Sequence, residues 1–350
     1  MKKVIIATGS MKRGGAERVI SIVSNYYASL GWDVALIRCL FPEIEYELDS
    51  RIRLIDISKQ ENNQMLDVPR MISSLRRIIK KEKPDAVISF MVTINIITAV
   101  ACKGLNVRYF PSERNDPAVG RPRFLQKAGE WAYGQSTMTI MQTKRARDFF
   151  GTKVRKKSVI IPNPVIVQEY AGKNKEKVVV SVGRLERQKN QKMLIDAFSE
   201  FYKTHPDYRL RFFGRGSQES ELKARVENLG LTDAVDFVGN VNDVHHQIRN
   251  ASLFVMTSDF EGLSNALLEA MMMGLPCIST DCAGSDEIID DGESGIIVKR
   301  GNVSALTEAM NKIVNDNSLA ERYANEAHKR VEERFNAETV CKKWREIVEG

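Results

Sequence analysis

The stretch KVVVSVGRLERQKN, residues 177–190, decides the fold. Its run of Val around Ser181 is typical of a buried strand, and Gly183 begins a turn that leads into a helical pattern from about residue 190. The same order of strand, turn and helix recurs in both halves of the chain. Short apolar runs that alternate with longer helical segments predict parallel sheets covered by helices.

Two such series predict two domains, for which 350 residues are sufficient. The strands of the first series read KKVIIAT, DVALIRC, DAVISF, VRYFPS and SVIIP, with a helix from about Ala16 to Leu30; those of the second read KVVVSVG, YRLRFFG, AVDFVG, SLFVMTS and PCISTD, with helical segments near 190–204, 217–229, 263–273 and 303–316. Pro162, Pro164 and the polar AGKNKEK place the boundary between Asn163 and Lys177. We therefore predict an α/β protein of two Rossmann-like domains, residues 1–168 and 169–335, followed by a terminal helix over 336–350.

The net charge of +7 is unevenly distributed. Residues 1–170 contain 28 Lys and Arg against 16 Asp and Glu, a net charge of +12, whereas the other 180 residues contain 24 against 29, a net charge of −5. A basic first half predicts an anionic partner, which is membrane phospholipid, a phosphate-bearing acceptor or nucleic acid. The chain has no recognised helix-turn-helix, zinc-finger or aromatic RNA-binding pattern, so nucleic acid is the least favoured.

No segment has the pattern of a signal peptide or a membrane span. The apolar run after Lys3 ends at Thr8, and polar residues interrupt the uncharged run from Ala86 to Cys102. Five cysteines without a C-x-x-C pair favour reduced thiols. We expect a cytoplasmic protein that binds peripherally at the inner face of the cell membrane.

The segment RMISSLRRIIKKEK, residues 70–83, is the candidate for contact with an anionic membrane surface. Met71, Ile72, Leu75, Ile78 and Ile79 form an apolar stripe at helical spacing, beside Arg76, Arg77, Lys80, Lys81 and Lys83. The alternative for the apolar stripe is packing against the sheet.

Two loops have residues suited to a phosphate. In GSMKRGGAER, Gly14 and Gly15 precede the first helix, where backbone amides can face an anion. The pattern is not G-x-G-x-x-G and no acidic residue ends DVALIRC, so a dinucleotide is disfavoured. In VGRLERQKN, Arg184 and Lys189 follow a strand and can clamp a diphosphate. The alternatives are a turn without ligand and solvated surface charge.

The stretch DFEGLSNALLEAMMMGLPCISTD, residues 259–281, has two acidic residues around a helix start. Glu261 precedes the helix and Glu269 lies one to two turns inside it. Ser264 and Asn265 provide a cap and amides for a phosphate. Because a carboxylate accepts two hydrogen bonds from sugar hydroxyls, Glu261 is suited to a hexose and Glu269 to a ribose. The alternative is two acids without ligand.

No metal or cofactor is predicted. Asp290 and Asp291 precede Gly292 in a turn, which favours a structural role. His245 and His246 are adjacent and would point about 100° apart on a helix, so they cannot chelate together. We expect a surface or interdomain structural role for these two histidines.

The segments GGAER, VGRLERQKN, EGLSNALLE with AMMMGLPCISTD, and SDEIIDDGESGIIV resemble, in this order, the retaining glycosyltransferases of glycosyltransferase family 4 over essentially the whole chain. The E-x7-E block with Gly274 and Pro276 is the specific part. ISFMVTINI and PSERNDP resemble bacterial enzymes that extend polyprenyl-diphosphate-linked oligosaccharides or surface polysaccharides, often from UDP-linked hexoses or N-acetylhexosamines. The family implies a GT-B fold, in which an acceptor domain and a donor domain face each other across a deep cleft and the last helix returns to the first domain.

The resemblance also implies a role for each site residue. Glu261 contacts the donor sugar as part of a catalytic set with Arg184 and Lys189, which bind the diphosphate, and Glu269 contacts the ribose. Further donor contacts are implied for Gly15, Gly214, Gly239, Asn240, Val241, Gly262, Leu263, Ser264 and Asn265, and acceptor-side positions for Gly14, Glu113, Arg114 and Asn115. Many relatives have a His in this acceptor loop, so Glu113 or Arg114 is expected in its place.

The implied reaction is transfer with retention and without a metal, because the two cations neutralise the leaving diphosphate. The alternatives are a UDP-sugar 2-epimerase on the same fold and a binding module without catalysis.

Overall fold

A computed structural model describes residues 1–12, 14–58, 67–166, 175–241 and 243–350. The chain divides into two compact units, one formed by Met1–Pro164 with Ala337–Gly350 and the other by Val165–Asn336. The domain boundary that we expected at residues 168 and 169 lies outside the described residues.

The first unit contains a seven-stranded parallel sheet in the order β3-β2-β1-β4-β5-β6-β7. Its strands are β1 Lys3–Thr8, β2 Asp33–Arg38, β3 Arg53–Asp56, β4 Ala86–Phe90, β5 Arg108–Glu113, β6 Thr139–Met141 and β7 Ser158–Ile160. Ile6 lies opposite Leu36 on one side and Ile88 on the other, and all three are fully buried. Burial on both faces explains the continuous apolar runs of the central strands.

Helices cover both faces of this sheet. They are α1 Gly15–Ser29, α2 Val68–Glu82, α3 Val92–Cys102, α4 Arg123–Gly134, α5 Lys144–Phe149, α6 Thr152–Arg155 and, after the second unit, α14 Ala337–Glu349. α3 contacts both α2 and α4, whereas α1 contacts α14. Because strand crossovers are right-handed, α1 lies on the face opposite to α2, α3 and α4.

The terminal helix belongs to the first unit, as predicted. Trp344 on α14 is fully buried, and its ring stacks on Phe90 with centroids 5.6 Å apart. The Tyr27 hydroxyl on α1 donates a hydrogen bond of 3.0 Å to the Trp344 carbonyl. The helix therefore completes the core of the unit that contains the chain's first residues.

The apolar stripe of α2 packs inward, as the alternative reading expected. Met71, Leu75 and Ile79 are buried in the core. Arg76 is also engaged, because its Nη1 donates to the carbonyls of Ala101 and Lys103 at 2.8 and 2.7 Å and so caps the end of α3.

The second unit contains a six-stranded parallel sheet in the order β10-β9-β8-β11-β12-β13. Its strands are β8 Glu176–Val182, β9 Arg209–Phe213, β10 Val235–Gly239, β11 Ala251–Met256, β12 Cys277–Thr280 and β13 Ile296–Val298. Its helices are α7 Gln191–Tyr202, α8 Glu219–Asn228, α9 Val244–Ile248, α10 Asn265–Met272, α11 Ser285–Ile288, α12 Val303–Asn315 and α13 Asn317–Phe335, with a short 3-10 helix at Arg187–Lys189. α7 packs on α12, and α10 packs on α13.

The prediction of two parallel-sheet domains is confirmed, but the sequence did not reveal β3, β6 and β13, which are only three or four residues long. Among the described residues, no helix is both long and apolar enough to cross a membrane.

Candidate active site

Three loops lie side by side at the carboxyl ends of β8, β9 and β10. The amide of Gly183 donates to the Phe213 carbonyl at 2.9 Å, and the amide of Gly214 donates to the Gly239 carbonyl at 2.8 Å. A Cβ on Gly214, whose φ is +139°, would lie 2.0 Å from the Gly183 carbonyl oxygen. Only glycine permits this close approach, which brings the loops after Gly183, Gly214 and Gly239 together at one edge of the sheet.

Lys189 and Glu261, which the sequence placed in different motifs, form an ion pair. The Lys189 Nζ lies 2.5 Å from the Glu261 Oε1, and the two side chains are 17% and 11% exposed. The Ser258 hydroxyl donates to the same carboxylate oxygen at 2.7 Å. Arg184 begins the loop that ends at Lys189, and its side chain is exposed. Two predicted phosphate-binding cations and a predicted sugar-binding carboxylate thus lie on adjoining loops.

Side-chain and backbone hydrogen bonds hold these two loops against each other. The Thr257 hydroxyl donates to the carbonyls of Lys189 and Asn190 at 3.1 and 2.9 Å, and the Asp259 amide donates to the Gln188 carbonyl at 2.8 Å. Asn190 donates through Nδ2 to the Asp259 carboxylate at 3.0 Å. Asn190 has a φ of +46°, a region that Asn tolerates better than most residues. The contacts fix the backbone on both sides of the Lys189–Glu261 pair.

Asn190, Thr257, Ser258 and Asp259 were not predicted as site residues. Each stands within four residues of Lys189 or Glu261 in the sequence, and this proximity was the available signal.

Glu269 lies on α10, as predicted, but its partner was missed. Ser264 caps this helix by accepting a hydrogen bond of 3.3 Å from the Leu267 amide. Glu269 is 7% exposed, and its Oε2 lies 3.0 Å from the Nε2 of His245 on α9. The sequence did not reveal this contact of the His245 ring with the predicted ribose-binding carboxylate.

The remaining predicted donor residues of the second unit lie at the end of β10 or in the segments that follow β10 and β11. Gly239 is buried, Asn240 is exposed and Val241 is half-buried in the loop after β10. Gly262, Leu263 and Asn265 surround the start of α10, where a Cβ on Gly284 would lie 2.2 Å from the Gly262 carbonyl oxygen. Cys282 is buried in the neighbouring turn, and this burial raises the pKa of its thiol to about 11.

Glu113 is enclosed in the first unit. It is 1% exposed; Arg121 donates to its two oxygens at 2.6 Å each, and the Tyr133 hydroxyl donates at 2.7 Å. Burial and the neighbouring carboxylate raise the pKa of Tyr133, which keeps its hydroxyl a donor. These contacts favour a role of Glu113 in shaping the acceptor loop rather than in touching an acceptor.

Arg114 is also buried. Its Nη1 donates to the Ile161 carbonyl at 3.2 Å and to the Asn163 Oδ1 at 3.0 Å, and the guanidinium lies over the rings of Phe90 and Trp344. Burial lowers the pKa of Arg114 to about 9. Its geometry therefore also favours a structural role.

The other two predicted acceptor-side residues, Asn115 and Gly14, are more accessible. Asn115 exposes its side chain. Gly14 immediately precedes α1, where its amide and carbonyl both bond the Tyr46 hydroxyl, and Gly15 is the first residue of that helix.

The acidic turn at Asp290 and Asp291 is occupied by internal contacts. The Asp290 carboxylate binds Arg330, and the Asp291 Oδ1 accepts from the Ile297 amide at 2.8 Å. Within the described ranges, no three His, Cys, Asp or Glu side chains are grouped as metal ligands.

Comparisons with known proteins identify the family of the chain. The family model described as Glycosyltransferase Family 4 matches residues 13–169, and the model described as Glycosyl transferases group 1 matches residues 164–330. An uncharacterized glycosyltransferase of Haemophilus influenzae is 24% identical over 99% of this chain and 100% of its own length.

A second relative is the Campylobacter jejuni GalNAc-alpha-(1->4)-GalNAc-alpha-(1->3)-diNAcBac-PP-undecaprenol alpha-1,4-N-acetyl-D-galactosaminyltransferase, which is 23% identical over 99% of this chain and 98% of its own. The crystal structure of Anabaena HepE in complex with UDP superimposes with a TM-score of 0.85, at 17% identity and with 100% of both chains covered. The two family models meet where the two units divide, and this chain belongs to the GT-B glycosyltransferases that join a Glycosyltransferase Family 4 domain to a group 1 domain.

Proposed function

We propose that the protein is a retaining glycosyltransferase that transfers a hexose or N-acetylhexosamine from a UDP-sugar to a polyprenyl-diphosphate-linked or surface-polysaccharide acceptor. The first unit binds the acceptor and the second unit binds the donor. The Lys189–Glu261 pair at the carboxyl edge of the second sheet is the observation that carries the proposal. The name of the Campylobacter relative supports the lipid-linked acceptor, and the UDP complex of HepE supports the nucleotide.

The donor contacts follow from charge. Arg184 and Lys189 bind the diphosphate and neutralise the charge that develops on it as the glycosidic bond breaks. Glu261 accepts hydrogen bonds from sugar hydroxyls while Lys189 and Ser258 hold its carboxylate. Glu269 accepts hydrogen bonds from the ribose, and the loops around Gly214, Asn240 and Val241 hold the base.

Retention requires that the new bond form on the face that the diphosphate leaves. The acceptor hydroxyl attacks the anomeric carbon, the bond between this carbon and the diphosphate oxygen breaks, and the departing diphosphate takes the hydroxyl proton. Because two protein cations stabilise the diphosphate, we propose that transfer needs no metal ion.

The acceptor side also implies membrane association. A polyprenyl-linked acceptor presents its diphosphate and sugars at the bilayer surface, so we propose that the protein binds peripherally there through its basic first half, whose net charge is +12 over residues 1–170.

A donor screen that follows nucleotide release tests the proposal. Purified protein is incubated with UDP-, GDP- and ADP-sugars, with and without bacterial membrane lipid extract, and the anomeric configuration of the product is determined by NMR. We expect acceptor-dependent release of UDP with an α-linked product that persists in a strong chelator.

Three results would contradict it. Conversion of the UDP-sugar without acceptor would indicate an epimerase. Loss of activity in the chelator with full recovery on Mn²⁺ or Mg²⁺ would overturn metal independence, and a β-linked product would overturn retention.

A further inference from the structure

Helices α2, α3 and α4 form one continuous layer on a single face of the first sheet. α3 lies between the other two and contacts both. The strands that these helices connect follow one direction across the sheet, from β3 to β6, which places all three crossovers on the same face. We call the outer surface of these three helices the α2–α4 face.

The α2–α4 face exposes two large aromatic side chains. Phe124 is 74% exposed and Trp131 is 40% exposed, whereas Gly129, Ala132 and Tyr133 of the same helix are buried. A spacing of seven residues places Phe124 and Trp131 on one side of α4, about 10 Å apart along its axis. Single exposed aromatics are common, but two on one helix side indicate a surface that a partner covers.

Exposed cations outnumber acidic residues on the α2–α4 face. Exposed cations occur on or directly beside all three helices, namely Arg77, Lys80, Lys81, Lys83, Lys103, Arg123 and Lys127. The acidic residues on or directly beside α2 and α4 are Asp67, Glu82, Asp85 and Glu130. Lys3 and Arg53 bind Glu82, and Glu130 accepts a hydrogen bond from the Gly151 amide at 3.3 Å. Helix α3 has no charged residue at all.

We propose that the α2–α4 face lies on an anionic lipid bilayer, with Phe124 and Trp131 at the level of the head groups and the cations against the lipid phosphates. Aromatic rings with adjacent cations are the combination that binds the membrane interface. Charge complementarity selects an anionic bilayer over a neutral one, since seven exposed cations face four acidic residues, of which Glu82 is paired with Lys3 and Arg53.

The placement gives the membrane a defined position relative to the acceptor loop. Because α4 runs antiparallel to its strands, Phe124 lies near the carboxyl edge of the first sheet, where Asn115 is exposed. A lipid-linked acceptor held in the bilayer is thereby presented at this edge. The inference deepens the proposed function in naming the membrane-binding surface, but its test needs neither donor nor acceptor.

Co-sedimentation with vesicles tests the charge component. The double variant Lys80→Gln/Lys81→Gln is compared with Lys342→Gln/Lys343→Gln, in which the adjacent exposed lysines lie on α14, on the opposite face of the same sheet. We expect the first variant to bind phosphatidylglycerol-containing vesicles about tenfold more weakly than the wild type at low salt, and the second to bind nearly as well. Arg76 is left intact because it caps α3.

The aromatic component has its own variant and control. Phe124→Ser/Trp131→Ser should lower the partition into the same vesicles by about tenfold or more, whereas Leu54→Ser/Leu229→Ser, at 44% and 38% exposed positions elsewhere, should not. Circular dichroism and thermal unfolding establish that each variant is folded.

Trp131 also reports its own insertion. Its fluorescence should shift to the blue when anionic vesicles are added, and the shift should disappear in Trp131→Phe, a variant that retains binding. Equal binding by the wild type and the Phe124/Trp131 variant would overturn the proposal. Equal affinity for phosphatidylcholine vesicles and for phosphatidylglycerol-containing vesicles would also overturn it. A dimer in solution that Phe124→Ser/Trp131→Ser abolishes would overturn it as well, because a second copy of the chain would then cover the α2–α4 face. Since vesicle binding is measured without transfer, an inactive but membrane-bound protein would contradict only the proposed function.

Discussion

The Lys189–Glu261 pair gives the most direct test of the donor site. We expect Lys189→Ala and Glu261→Ala each to lower turnover by at least about 10²-fold, which corresponds to about 2.7 kcal/mol of transition-state stabilisation. Each variant should also destabilise the fold, because it leaves an ionised group without its partner. Loss of one member of a buried pair costs about 3–5 kcal/mol, and exposures of 17% and 11% place the expected loss nearer 2–3 kcal/mol.

A charge exchange separates structural from catalytic effects. In Lys189→Glu/Glu261→Lys the two charges attract again, so thermal stability should recover partly, while turnover should stay low because a carboxylate now replaces the diphosphate-binding cation. The exposed Lys203–Glu200 pair, with exposures of 66% and 54%, is the matched control, and its exchange should change neither quantity.

The measurements are calorimetric unfolding and UDP release under saturating donor. Near-wild-type turnover in both alanine variants, with folding intact, would refute the assignment. Full recovery of turnover by the charge exchange would show that the pair is needed only as a structural contact.

Three further predictions concern positions outside that pair. His245→Ala should weaken UDP binding about 3- to 10-fold in titration calorimetry but leave binding of 2′,3′-dideoxy-UDP unchanged, because the lost contact orients Glu269, the carboxylate that we propose accepts the ribose hydroxyls. Gly214→Ala should lower the free energy of unfolding by about 1–3 kcal/mol or more, because its Cβ would lie 2.0 Å from a carbonyl oxygen, whereas Gly230→Ala, at a φ of +70° with open space around it, should cost about 1 kcal/mol. Trp344→Ala should destabilise the first unit by about 3–5 kcal/mol in calorimetry, whereas exposed Trp131→Ala should cost less than about 0.5 kcal/mol; equal effects at the two tryptophans would contradict the packing of α14.

The sequence predicted the long elements of the fold well and the short ones poorly. Strands such as β1 and β8 are buried on both faces, so their apolar runs are continuous and easily recognised. The edge strand β3 leaves Leu54 44% exposed, and β6 has only three residues. Such segments are strands because a neighbouring strand pairs with them, and this pairing leaves little trace in local composition.

The site residues also divide into those that the sequence predicted and those that only the structure revealed. Chemical type and position after a strand made Lys189 and Glu261 candidates, and the resemblance to glycosyltransferase family 4 selected them. The structure brings the two side chains together. Their support by Thr257 and Asn190 depends on contacts between loops that are more than sixty residues apart in sequence. For Glu113, the family resemblance suggested an acceptor-side role, but the bonds from Arg121 and Tyr133 occupy its oxygens. Whether a polar residue is exposed or enclosed depends on tertiary packing, which residue type does not reveal.

The charge distribution implies different electrostatics for the proposed membrane binding and the proposed donor binding. Residues 171–350 carry a net charge of −5, so the long-range field of that half does not attract an anionic donor. In the proposed function, donor binding then depends on the local cations Arg184 and Lys189, of which Lys189 is only 17% exposed and acts at contact distance. The basic α2–α4 face acts over longer distances. Salt screens such interactions beyond about 10 Å at 0.1 M and beyond about 3 Å at 1 M. Raising the salt concentration should therefore release the protein from anionic vesicles while UDP affinity falls much less. Equal salt dependence of the two affinities would show that both ligands respond to the same diffuse field and would remove the special role of the Lys189 loop.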